Sequence, residues 1–211
     1  NEGRCDPIRK GGIGESIGKR IMTEQLFYET TGVGVPLTLL HGYPLDHSIW
    51  QEVAAGLRNE ARMIMQDLRG QGKSPARQGT YSMGDLAGDI LQILDRRNIE
   101  KTIIAGHSMG GYVALALAKN HPERLSGLVL VASHAYADSM EKKQARLDSI
   151  ERIQREGVQP ILAPMAQKLS NDADVIERCR TLAAGASPQG ISGTLAGLAA
   201  REDALHVFLN L

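Results

Sequence analysis

The stretch IIAGHSMGGYVA, Ile103 to Ala114, sets a serine between two glycines where an apolar run gives way to a helical pattern. Gly106, His107, Ser108, Met109 and Gly110 spell G-x-S-x-G. Glycine fills 23 of the 211 positions, so the five-residue pattern alone arises by chance in roughly 0.1 to 0.2 of such chains, and its context has to carry the reading. That context is a strand running in and a helix leaving. A nucleophile placed there sits at a cramped turn, and the residues two positions to either side must be small for strand and helix to approach. Ser108 then projects from the carboxyl edge of a sheet, near the positive end of the helix that follows. A plainer alternative stands beside it: a glycine-rich turn in which the serine only caps the helix, a position serine favours.

Working outward, short apolar runs alternate with helical patterns. LFYET, LTLLHG, RMIMQD, TIIAGH and LSGLVLVAS read as strands. HSIWQEVAAGLRN, SMGDLAGDILQILDRRN and GGYVALALAKNH read as helices, the second with Leu86, Ile90, Ile93 and Leu94 on one face and the third stopped by Pro122. Continuous apolar strands separated by helices imply a mostly parallel sheet buried on both faces, an α/β fold. Past Ser133 the strand signal ends. Four amphipathic helical segments follow, divided by Gly, Pro, Ser and Asn, and read as a helical cap over residues 134–203. The core then covers 22–133, and 204–211 starts a return to it.

Residues 1–21 are rich in Gly and charge and lack the continuous apolar stretch of a secretory signal. A phosphate loop would need Gly at 13, which is Ile, and Ser or Thr at 20, which is Arg. The segment is expected to be a non-native or disordered extension ahead of a start at Met22, from upstream translation or a cloning remnant.

Composition narrows the partners. Twenty-four basic residues balance 24 acidic ones, which leaves no surplus charge for a nucleic-acid backbone or an anionic membrane. Apolar runs such as LVLVA fall short of the roughly 18 to 20 residues a membrane helix needs. Cys5 and Cys179 are the 2 cysteines and form no disulfide framework or metal cluster. A reducing, cytoplasmic setting is expected.

A second stretch supports the nucleophile. LLHGYPLD places His41, Gly42, Tyr43 and Pro44 after an earlier strand, where a loop can bring a backbone N–H toward Ser108. Acyl transfer needs two such donors for the charge that develops on the carbonyl oxygen, each typically worth about 3 to 4 kcal/mol. The expected pair is the N–H of Tyr43 and that of Met109. Pro44 cannot donate, and it biases Tyr43 toward extended backbone.

With LLHGYPLDHSIW, DLRGQGKS and GHSMGGYVALALAKNHPERLSGLVLVAS in order, the chain resembles the α/β-hydrolase superfamily from Leu26 to Asp203. It is most similar to small capped serine hydrolases such as 3-oxoadipate enol-lactonases and related esterases. The resemblance implies a serine nucleophile at Ser108, oxyanion donors at Tyr43 and Met109, and supporting motif residues His41, Gly42, Gly106, His107 and Gly110. It also implies a histidine base, an acidic partner, and no metal or organic cofactor. Asp67, Arg69 and Gly70 read as a tight structural loop.

Family members continue past the cap into two more strands that carry the acid and the histidine. Roughly 50 residues would be needed for these, so the expectation is a truncated copy in which the base is missing. His107 should point away from Ser108, His41 should support the oxyanion loop, and His121 lies at the far end of its helix. His47 and His134 could approach the cleft, His206 is the candidate in the tail, and Asp138, which follows the last strand at a position some α/β-hydrolases use for the acid, reads rather as a solvated cap residue. The expected function is hydrolysis of carboxylic esters or lactones through an acyl-enzyme, impaired in this form. The alternative is a non-catalytic binding or regulatory module that keeps the cleft. The expected partner is a small acyl or lactone compound, with Leu162, Met165 and Leu169 either lining its site or simply packing the cap. A bare sheet edge would favour self-association.

Overall fold

The computed structural model describes residues 26–209, so Cys5 and the expectations for residues 1–21 and Met22 lie outside the described residues. The described residues hold five strands: β1 (Tyr28–Thr31), β2 (Val35–Leu40), β3 (Ala61–Gln66), β4 (Thr102–His107) and β5 (Leu125–Val131). The helices are α1 (Gln51–Leu57), α2 (Met83–Arg96), α3 (Met109–Asn120), α4 (Met140–Glu156), α5 (Gln159–Leu169), α6 (Ala173–Ala184) and α7 (Pro188–Ala199), with a last 3-10 turn at Leu205–Leu209. The sheet order is β1-β3-β2-β4-β5, parallel except for β1, which runs antiparallel to β3.

Alternation along the central strands separates two cores. Leu40, Ile64 and Ile104 face α2 and α3, joining Leu86, Ile90, Ile93 and Leu94 of α2 and Val113 and Leu117 of α3. Leu39, Met63, Met65 and Ala105, one residue out of phase, face Trp50 and Ala54 at the start of α1. Thr38 and Thr102, buried between adjacent strands, meet through their hydroxyls at 3.0 Å.

The reading of strands buried on both faces holds for β2, β3 and β4 but not for β5. Val129 and Val131 are 45% and 38% exposed, because β5 is the outer strand and α1 lies across the other end of the sheet. Their parity puts both on the α1 face.

All four helical segments after Ser133 form. Ser139, Asp172 and Ser187 cap α4, α6 and α7 by accepting main-chain N–H groups. α7 is joined to the core by a stripe of small residues. A Cβ on Gly190 would strike the Gly70 backbone, one on Gly193 the Tyr81 ring and one on Gly197 the Tyr81 carbonyl. Tyr81 is fully buried there, its N–H donating to the Gly193 carbonyl at 3.0 Å.

Candidate active site

β4 ends at His107 and α3 begins at Met109, so Ser108 makes the whole turn. Its backbone is at φ 49 and ψ −111, a sector side chains avoid and one that costs about 1–3 kcal/mol to occupy. Surrounding bonds hold it there. The Ser108 N–H donates to the Val131 carbonyl at 2.9 Å, and its own carbonyl accepts from the Gly111 N–H at 3.0 Å and the Ser133 hydroxyl at 2.7 Å. A Cβ on Gly106 would strike the Gly110 backbone, and one on Gly110 the Leu40 carbonyl. Small residues at both positions are thus a packing requirement. The Ser108 side chain makes no capping bond to α3. By contrast Ser82, Ser139 and Ser187 sit in extended backbone and each accept the N–H three residues on. Simple capping therefore does not account for Ser108.

The loop after β2 lies against this turn. His41 is fully buried; its Nε2 accepts the Leu68 N–H at 2.9 Å, leaving Nδ1–H to donate to the Gly42 carbonyl at 3.0 Å. Burial holds its pKa below the usual 6.5 despite the opposing hydrogen bond to Gly42, so the ring is a neutral strut between two loops. Gly42 passes directly over His107: a Cβ there would sit 2.7 Å from His107 Nδ1. The Tyr43–Pro44 peptide is cis, and the Leu45 N–H closes the turn on the Gly42 carbonyl at 2.8 Å. The Tyr43 ring packs against both the sheet core and the cluster of Ile153, Leu162 and Ile191 from the helices above. Burial pushes its phenol well above the ordinary tyrosine range. Met109 is buried in the core cluster that the Tyr43 ring also packs against. The structure thus brings Tyr43, Ser108 and Met109 to one edge of the sheet.

The remaining histidines go elsewhere. His47 is buried, with Nδ1 2.7 Å from Asp67 and Nε2 3.2 Å from Glu29. Asp67 also accepts the N–H groups of His47 and Lys73, at 2.7 and 2.8 Å, tying two loops together. Asp46, His47 and Asp67 have metal-ligand geometry among the described residues. In the structure these groups serve as loop ties, Asp67 accepting from His47 and from the Lys73 N–H and Asp46 accepting from the Ser48 N–H at 2.9 Å. His134 Nε2 lies 3.2 Å from the Tyr112 hydroxyl, His121 pairs with Glu123 at 3.3 Å, and His206 is on the exposed side of the last 3-10 turn. His107 faces the α1 side with Ala105, where burial lowers its pKa.

Asp138 corrects its sequence reading. It is 7% exposed rather than solvated, bonded to Arg146 Nε at 2.6 Å and to Arg201 Nη2 at 3.1 Å. Burial alone would raise its pKa; the Arg146 hydrogen bond and the charges of Arg146, Arg201 and Lys142 overcome this and hold it below the ordinary 3.8. Arg201 also stacks on the Tyr112 ring at 3.7 Å and donates to the Tyr136 carbonyl. Leu162 and Met165 pack among the helices, the plainer of the two roles expected of them. Leu169 instead faces an open cleft. Sequence reasoning missed Ser133, whose only signal is a small hydroxyl residue closing β5, and Arg201, whose partner lies 63 residues away.

Residues 35–150 match the model of the alpha/beta hydrolase fold family. The chain is 41% identical over 106 residues to a pimeloyl-[acyl-carrier protein] methyl ester esterase of Aeromonas salmonicida, covering 50% of this chain and 40% of that protein. It spans less than half the length of the curated relatives it matches first. In structure it is similar to a thermophilic esterase from Thermogutta terrifontis, with a TM-score of 0.82 and 36% identity over 86% of this chain and 70% of that one. It is also similar to the enol-lactonase from Burkholderia xenovorans LB400, with a TM-score of 0.77 and 25% identity over 85% and 71%. Among the described residues no helix is long and apolar enough to cross a membrane.

Proposed function

The chain belongs to the alpha/beta hydrolase fold family, and on that premise we propose that it carries the nucleophile and oxyanion half of a serine hydrolase of carboxylic esters or lactones. The observation that carries this reading is the Ser108 turn, held at φ 49 between two glycines that admit no side chain. An ordinary cap has no need of that conformation, whereas a nucleophile set at a strained strand-to-helix turn does.

In this mechanism Ser108 Oγ attacks the substrate carbonyl, whose oxygen takes up charge toward the N–H groups of Tyr43 and Met109. The alcohol or ring oxygen leaves with a proton, and water then releases the acyl group. His41 and the two glycines act by placing those donors. α4 to α7 form a cap over residues 134–203, with Tyr43 filling its junction with the core.

The base is the open part of the reading. His41, His47, His121 and His134 each bond a group other than Ser108. Turnover by these 211 residues is therefore expected to be weak, supported by the oxyanion donors and binding alone. The same engagement of the imidazoles favours the second reading, a binding module that keeps the cleft. The deciding experiment is intact mass after exposure to a fluorophosphonate, with Ser108→Ala as control. A single adduct lost in Ser108→Ala supports an activated serine. A folded protein that takes no adduct removes the acyl-transfer reading.

A further inference from the structure

The loop that closes β5 grips residue 108 from both sides. The Val131 carbonyl accepts the Ser108 N–H at 2.9 Å, and the Ser133 hydroxyl donates to the Ser108 carbonyl at 2.7 Å. Ala132, between them, has φ 46, a left-handed backbone that an alanine keeps only where its surroundings impose it. Room for the hydroxyl is made on α3. A Cβ on Gly111 would strike Ser133 Oγ and Cβ, so the second glycine after Met109 is a requirement of this contact.

The other helix starts are held in a different way. At α2, α4, α6 and α7 the cap carbonyl accepts the N–H four residues on, from Leu86, Lys143, Ile176 and Ile191. At α3 the donors are Gly111, three residues on, and Ser133 from across the turn. With φ 49 and ψ −111 at residue 108, its carbonyl is drawn off the ordinary ladder, and a side chain supplies part of the hold.

The Ser108 carbonyl and the Met109 N–H share one trans peptide plane, in which they point in opposite directions. Fixing the carbonyl therefore fixes the N–H. Met109 is the first residue of α3, so its N–H has no acceptor within the helix and can serve a ligand. A hydrogen bond received by the carbonyl also polarises the plane and strengthens that N–H as a donor.

We propose that Ser133 is a positioning residue that aims the Met109 N–H at the charge developing on the substrate's carbonyl oxygen. The oxyanion part rests on the acyl-transfer reading of Ser108; the hold on the peptide plane does not. An oxyanion donor works only within a narrow range of distance and angle, and Gly111 alone leaves the plane free to tilt.

The sequence contains three Ser–Met peptides, Ser82–Met83, Ser108–Met109 and Ser139–Met140, and each joins a cap residue to the first residue of a helix. In protein isotope-labelled at the serine carbonyl carbon and the methionine nitrogen, a carbonyl–amide NMR spectrum shows these peptides alone. The signal lost in Ser108→Ala belongs to the 108–109 plane, and the other two are internal controls for folding. In Ser133→Ala the Ser108 carbonyl should shift upfield and the Met109 N–H dipolar coupling in an aligned sample should change, with both controls unmoved. Ser133→Thr keeps the hydroxyl and should keep the parental values. Fluorophosphonate labelling of Ser108 should slow about tenfold in Ser133→Ala, short of the roughly 10²–10³ for a donor removed outright. A 108–109 signal unmoved in Ser133→Ala, or moved equally in Ser133→Thr, overturns the aiming. A displaced signal with undiminished labelling overturns its link to the oxyanion. The two readings fail separately: a parent protein that takes no label, but whose 108–109 signal moves in Ser133→Ala, loses the nucleophile and keeps the hydroxyl's hold on the plane.

Discussion

Replacing Ser108 by glycine and by alanine separates the turn's backbone energy from its chemistry. Neither change removes a capping bond, since the side chain makes none, and the three bonds that hold the turn belong to main-chain atoms of residue 108. Alanine keeps the Cβ and so keeps the strain of φ 49; its stability should lie close to that of the parent. Glycine removes strain of about 1–3 kcal/mol and gives back about 0.5–1 kcal/mol in chain entropy. Ser108→Gly should therefore exceed Ser108→Ala by about 1 kcal/mol at the middle of these ranges, and by at most about 2.5 kcal/mol. At ordinary positions the order is the reverse. Urea unfolding followed at 222 nm reads the difference, and a chain of this size should gain about 2–4 °C in Tm per kcal/mol. Ser82→Ala is the contrasting control: it breaks the capping box of α2 and should cost about 1 kcal/mol. If alanine at 108 proves as stable as glycine, the serine is unstrained and the argument for a specialised turn fails.

Two further outcomes follow from the buried charges. Burial holds the folded pKa of His41, and that of His107, below the ordinary 6.5, so the unfolded chain binds protons that the folded one refuses. The associated stability is complete above pH 6.5 and is lost as pH falls from there. The urea midpoint should drop between about pH 7.5 and 5.5; a midpoint that rises on acidification contradicts the buried, neutral assignment. Asp138→Asn leaves the Arg201 guanidinium, 5% exposed, without its counter-charge. The cost should be about 3 kcal/mol, against almost none for exposed Asp148→Asn, with urea unfolding as the measure.

The architecture was legible where a signal is local. The continuous apolar strands, the 3.6-residue face of α2 and the glycine spacing around Ser108 each need only neighbours in the chain to be interpreted. The strut role of His41 could also be read, because a polar residue closing a buried strand must find a partner in the next loop. What could not be read depends on distant pairs. Asp138 looks like an ordinary polar residue before a helix until Arg201 folds back on it from beyond α7. Trp50 and the exposed side of α6 line a cleft that shows only when α6 is set beside α1. The exposure of β5 was equally hidden, since LSGLVLV is as apolar as any central strand and its burial depends on what lies next to it.

The glycine stripe of α7 bears on how the four upper helices can move. Gly190 meets the Gly70 backbone, Gly193 the Gly79 carbonyl and the Tyr81 ring, and Gly197 the Tyr81 carbonyl, so most of this joint is backbone against backbone. A joint of that kind resists sliding and tilting, so α7, with α4 packed along it, works as a fixed post. α5 and α6 pack mainly on each other and reach the core through lighter contacts such as Arg178 on Ser48. Any breathing that admits a molecule from solvent should be a swing of this outer pair about the post, widening the gap along Trp50 while the Ser108 turn stays still.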